Sequence, residues 1–99
     1  MPYEEEIENA IDEALAGRPR AQDLAEMIAA LQLRRETFLR EREAASTPQQ
    51  KLEWERRLRE VEQQIAILRQ EQAITEFVED SVRATVMHAA LEEEVDKED

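Results

Sequence analysis

Cysteine is absent from this chain of 99 residues. Disulfides, thiolate nucleophiles and thiolate metal ligands are therefore excluded. Glycine occurs once, at Gly17. One glycine cannot build a phosphate-cradling loop, so Walker and dinucleotide-binding sites are excluded too. Proline occurs at Pro2, Pro19 and Pro48, and nothing after Pro48 breaks a helix. Sheet proteins need turn residues every ~8–12 positions, and this chain lacks that punctuation. No apolar run reaches membrane-spanning length and no basic-then-apolar leader is found, so a cytoplasmic location is expected. Basic side chains are also in short supply, with 13 Lys and Arg against 25 Asp and Glu, for a net charge of −12. That sign argues against nucleic acid and against an anionic membrane as partners.

What remains is a chain rich in both apolar residues (41%) and charged residues (38%), the composition of helices with one wet face and one narrow apolar stripe. The length suits one domain with a small core. The expected fold is all-α, with one domain over 1–99. Its parts are a short helix at 3–16, hairpin arms at 24–45 and 48–72, an extension or third helix at 73–91, and a frayed acidic tail at 92–99.

The local signals are these. Tyr3, Ile7, Ala10, Ile11, Ala14 and Leu15 share one face of the first helix. Glu4, Glu5 and Glu6 suit the positive end of its dipole, and Gly17 with Pro19 is placed to end it. Asp23 with Glu26 reads as a capping box for the second helix. From there Leu24, Ile28, Leu31, Arg35, Phe38, Arg42 and Ala45 alternate spacings of four and three, a coiled-coil seam that includes two arginine stems. Ser46-Thr47-Pro48 reads as a turn, with Thr47 as N-cap, Pro48 at the first helical position and Gln50 at the third. Beyond it Trp54, Leu58, Val61, Ile65 and Leu68 keep the same spacing, and Glu53–Arg57, Glu55–Arg59 and Arg56–Glu60 are opposite charges four apart.

Arms joined by so short a turn are expected to fold back antiparallel. Pairing outward from it sets Trp54 near Phe38 and Leu39, Leu58 near Arg35, Val61 near Leu31, and Ile65 near Ile28. Glu62 then comes within reach of Arg35. The expected hairpin core is Leu24, Ile28, Leu31, Phe38, Trp54, Leu58, Val61, Ile65 and Leu68.

Residues 74–91 carry a further apolar stripe of Ile74, Val78, Val82 and Val86, with Phe77 and Ala89 beside it. The spacing drifts here from four-three to four-four. With no Gly or Pro near residues 72–75, the pattern leaves open a continuous helix or a kink. The short first helix covers only part of this stripe. Leaving several large apolar side chains wet forfeits burial worth about 25 cal/mol per Å². A second chain is the expected remedy, making a dimeric helical bundle. Ile74, Phe77, Val78, Val82 and Val86 are the expected partner-binding residues.

Chemistry is sparse. His88, the single histidine, has Thr85 three residues before it, which breaks the Glu-x-x-His pattern of carboxylate-bridged metal bundles. Glu62, Glu76 and Glu79 are the few acids near an apolar stripe. Ser46 and Ser81 are the only serines, and no set of nucleophile, base and orienting group is found. No catalytic residue, metal ligand or cofactor is expected. The expected function is a non-enzymatic protein–protein interaction module, such as a small adaptor, regulator or chaperone-like subunit. One alternative comes from the acids gathered at both ends, six in residues 1–16 and six in residues 92–99. They suit an inhibitor that mimics nucleic acid toward a basic protein. A carboxylate-based metal bundle is the remote alternative.

Overall fold

The computed structural model describes the backbone of residues 2–98 and the side chains of residues 3–93. It contains three α-helices, α1 (Pro2–Leu15), α2 (Ala21–Ala44) and α3 (Pro48–Glu98), and no strand among the described residues. The helices divide into two compact units, Met1–Ala21 with Ala73–Asp99, and Gln22–Gln72.

In the first unit, α1 turns Ile7, Ile11 and Leu15 onto Val78, Val82 and Val86 of α3, with Tyr3 partly buried beside them. Positions 7, 11 and 15 are one turn apart, so a single narrow stripe does all the covering. Ile11 is fully buried. The helix stops after Leu15 because Ala16 (φ 51°) and Gly17 (φ 84°) both enter the left-handed region. Arg18 N–H then donates to the Leu15 carbonyl at 3.1 Å. The expected stop at Gly17 is thus a two-residue turn, and only the glycine adopts it without strain.

In the second unit, α2 and the first part of α3 share a core of Ile28, Val61 and Ile65, with Leu31, Phe38 and Leu68 packed on it. Leu24 and Leu58 are also buried and Trp54 is half-buried. The Phe38 and Trp54 rings lie 5.5 Å apart at 46°, and Arg57 stacks on the indole at 4.7 Å. Arg35 Nε donates to Glu62 Oε1 at 3.0 Å. Glu53 draws in both Arg56 (2.7 Å) and Arg57 (3.5 Å), so Arg56 points back along the helix and not forward to Glu60.

The connection between α2 and α3 is built as its sequence implies. Gln50 N–H donates to Thr47 Oγ1 at 3.2 Å, and Gln50 Oε1 accepts from the Ser46 N–H at 3.1 Å and from its hydroxyl at 3.2 Å. That reciprocal cap, with Pro48 at the first helical position, starts α3.

The start of α2 differs from the sequence-based expectation, and the question left open at residues 72–75 is answered by a continuous helix. α2 begins at Ala21, so Asp23 lies within its first turn and is not the cap. The Ala21 N–H instead donates to Glu79 on α3, at 2.9 Å. α3 runs unbroken through residues 72–75, because nothing there interrupts the backbone ladder. Its helical backbone continues through the acidic stretch to Glu98. The side chains of residues 94–99, which carry most of the expected acidic tail, lie outside the described residues.

Candidate functional site

From residue 73 onward α3 presents two faces that carry large apolar side chains. One carries Val78, Val82 and Val86 and is packed against α1. The other carries Ile74, Phe77, Ser81, Ala84, His88 and Leu91, spaced three, four, three, four and three. At ~100° per residue the row is centred roughly 130° around the helix from the valines, and Ile74 borders them, about 40° from Val78. All six are exposed. Phe77 is 72% exposed, Ile74 60% and Leu91 56%, with Met87 at the margin.

The five residues expected to bind a partner are therefore divided between the two faces. Val78, Val82 and Val86 are half-buried against α1, whereas Ile74 and Phe77 stay in solvent. The reason is geometric. Ile74 belongs both to the four-spaced row of the valines and to a three-four row that continues through Phe77, Ala84 and Leu91, and α1 covers only the valines of the first. Ser81, Ala84, His88 and Leu91 are the members of the exposed face that the sequence-based expectation omits. Their signal, an unbroken three-four spacing, lies beneath the stronger row of valines.

A network of charges holds α1 in place. Arg20 Nη1 donates to Glu8 Oε2 at 2.8 Å and to Asp12 Oδ1 at 3.1 Å, while its Nε donates to Glu79 Oε1 at 3.0 Å. Glu79 Oε1 accepts from the Ala21 N–H as well. Burial by itself disfavours the charged form of Arg20. The hydrogen bonds to Glu8, Glu79 and Asp12 outweigh it and raise the guanidinium above its ordinary value. Burial likewise works against the Glu79 carboxylate. The Ala21 N–H, the Arg20 hydrogen bond and the charges of Arg20 and Arg83 prevail, so its pKa is lowered. Glu79, one of the acids singled out near an apolar stripe, thus serves as a tertiary helix cap and ion-pair partner.

The second unit has an open apolar groove of about 450 Å³ lined by Met27, Ala30, Leu31, Gln64, Ile67 and Leu68. Met27 and Ile67 are its large exposed hydrophobic members. A second groove, of about 580 Å³, is lined mainly by polar and charged residues, including Gln32, Arg35, Glu62 and Arg69, with Ile65 and Ala66 among them. The Arg35–Glu62 pair sits in it, and both side chains are substantially exposed.

The residues with chemical potential are engaged in ordinary helix contacts. His88 Nε2 lies 3.0 Å from Glu92 Oε1, with both side chains exposed. Ser46 belongs to the α3 cap, and the Ser81 carbonyl accepts from Thr85 Oγ1 at 2.9 Å. Among the described residues no group of three or more His, Asp or Glu side chains is placed to hold a metal ion. No described helix is long and apolar enough to cross a membrane. Comparison with known proteins finds no matching family model, no matching curated protein and no matching solved structure.

Proposed function

We propose that this chain is a non-enzymatic protein–protein interaction module, a small adaptor, regulator or chaperone-like subunit working in the cytoplasm. On this reading α2 and the first part of α3 form an antiparallel, coiled-coil-like hairpin. That hairpin is the scaffold, and the extended α3 is the arm that meets partners, a second copy of the chain among them. The observation that carries the reading is the exposed face of α3, where Phe77 and Ile74 stand 72% and 60% exposed in heptad register with Leu91. Single exposed apolar side chains are ordinary on any protein surface. Three large ones, Ile74, Phe77 and Leu91, on one three-four row with Ala84 between them and Ser81 and His88 as its polar members, are the pattern of a helix that lies against another helix.

The test is affinity capture with the wild-type chain and with Phe77→Glu, followed by reconstitution of each candidate complex from purified components. At least one direct complex is expected to weaken by tenfold or more on substitution, since a buried aromatic anchor is typically worth about 1.4 kcal/mol or more. The proposal fails if Phe77→Glu alters no complex, including self-association.

A second reading rests on α1, whose Glu4, Glu5, Glu6 and Glu13 are all exposed. An acidic array of this kind suits a basic protein partner, as a nucleic-acid mimic would. Such a complex weakens steeply with added salt. A complex made through the Phe77 face does not.

A further inference from the structure

We infer that the exposed face of α3 is covered by a second copy of this chain, with the two α3 helices antiparallel and the two-fold axis passing between Val82 and Arg83. The inference rests on the reading that this face is a binding surface, and it adds the identity and register of the occupant.

Three observations select a second copy in this orientation. First, the row is palindromic in size. Reading from Ile74 to Leu91 the side chains run large, large, small, small, large, large: Ile74, Phe77, Ser81, Ala84, His88, Leu91. A two-fold interface requires that if one residue meets another, the reverse contact also forms. Antiparallel coiled coils pair an a position with a d position. A two-fold between Val82 and Arg83 pairs Ile74 with Leu91, Phe77 with His88 and Ser81 with Ala84. The two small pairs at the centre let the helices approach closely. The bulky pairs at each end fill the widening space, with each Phe77 ring facing an imidazole.

Second, charge favours antiparallel over parallel. Glu92 and Glu93 follow directly on the row. A parallel pair would bring four of these carboxylates together at one end. The antiparallel pair separates the two runs by more than the ~26 Å length of the row, well beyond a Debye length of ~8 Å. Third, α1 is packed on the valine face of α3, centred roughly 130° around the helix from the row, and each of the six residues of the row is exposed. The association therefore requires no rearrangement of α1.

One row of six residues falls short of the ~800 Å² per partner of a standard interface, so the dimer is concentration-dependent. Each chain carries −12, so added salt strengthens the dimer by screening repulsion, the opposite of its effect on a complex with a basic protein.

The natural absence of cysteine makes the register directly readable. Single-cysteine chains Ser81→Cys and Ala84→Cys are mixed and equilibrated in a thiol–disulfide buffer. The expected product is the mixed disulfide between them, in clear excess over either self-disulfide, and adding Phe77→Glu to both chains reduces it at least tenfold. Phe77 lies in solvent, so that variant should keep its helicity by circular dichroism. Ala84→Arg is the second disrupting variant. In parallel, sedimentation equilibrium of the unmodified chain should show the mass rising from 11.6 kDa toward twice that value with concentration. Self-disulfides in excess would overturn the antiparallel register. A monomer mass up to about 1 mM would overturn self-association altogether. If that monomer still binds another protein in a Phe77-dependent way, the interaction reading stands and only the occupant is wrong. If Phe77→Glu affects nothing, both fail.

Discussion

Replacing Glu79 tests how α1 is held. The carboxylate is only 15% exposed and accepts two hydrogen bonds, from the Ala21 N–H and from Arg20 Nε. Glu79→Ala removes both. Loss of a helix N-cap costs about 1 kcal/mol, and a hydrogen bond to a charged group contributes about 1.5–3 kcal/mol. Arg20 retains Glu8 and Asp12, so its charge is not orphaned, but those two contacts are exposed and contribute little. The net expectation is about 2.5–3 kcal/mol for Glu79→Ala. Glu79→Gln keeps an oxygen for the Ala21 N–H and loses the charge, so about 1 kcal/mol is expected.

The sharpest assay is amide hydrogen exchange of α1 and of Ala21, which reads local opening separately from global unfolding. The pH dependence follows from the same carboxylate. Its folded pKa lies below the unfolded value of about 4.3. Its stabilisation is therefore fully present above that unfolded value and lost as pH falls through the folded one. Wild-type α1 should lose protection in acid by an increment that Glu79→Gln does not show. A change of less than about 0.5 kcal/mol for Glu79→Ala, the scatter of ordinary surface substitutions, would refute the reasoning.

Other expectations concern packing and backbone. Trp54→Ala removes the Phe38 contact and the Arg57 stack from a half-buried site, and should cost about 2–3 kcal/mol in urea unfolding of the intact chain. Leu58→Ala, at a buried position, should cost about 3 kcal/mol in the same assay. Gly17→Ala places a side chain at φ 84° where the new methyl would meet nothing, so its cost of about 1 kcal/mol is purely conformational. Ala16→Gly, at φ 51°, should be neutral or stabilise by up to about 1 kcal/mol, visible as a higher melting temperature.

The sequence is most legible where chemistry is local. Thr47, Pro48 and Gln50 spell a cap whose partners all lie within four residues, and the structure forms it. The Trp54–Phe38 and Arg35–Glu62 contacts follow from counting outward from that turn. Legibility fails where the deciding group comes from far along the chain. α2 starts at Ala21 because Glu79, 58 residues later, accepts its N–H, and no window around Asp23 contains that information. The same applies to residues 74–91. Periodicity reads as one apolar stripe, Ile74, Val78, Val82 and Val86 with Phe77 beside it, and does not say that α1 will take the valines and leave Ile74 and Phe77 exposed. The choice follows from the match between Ile7, Ile11 and Leu15 at intervals of four and Val78, Val82 and Val86 at the same interval. The three-four row through Phe77 is what that match leaves uncovered.

The central claim, that the chain works by laying the Phe77 face of α3 against another protein chain, is most directly tested by site-specific photo-crosslinking in cells. A photoreactive phenylalanine analogue is placed at position 77, with a control at the exposed position Arg34. The expected result is a discrete intermolecular adduct at position 77, to a second copy or to another protein, that is absent at position 34. Equal or negligible adducts at the two positions would contradict it.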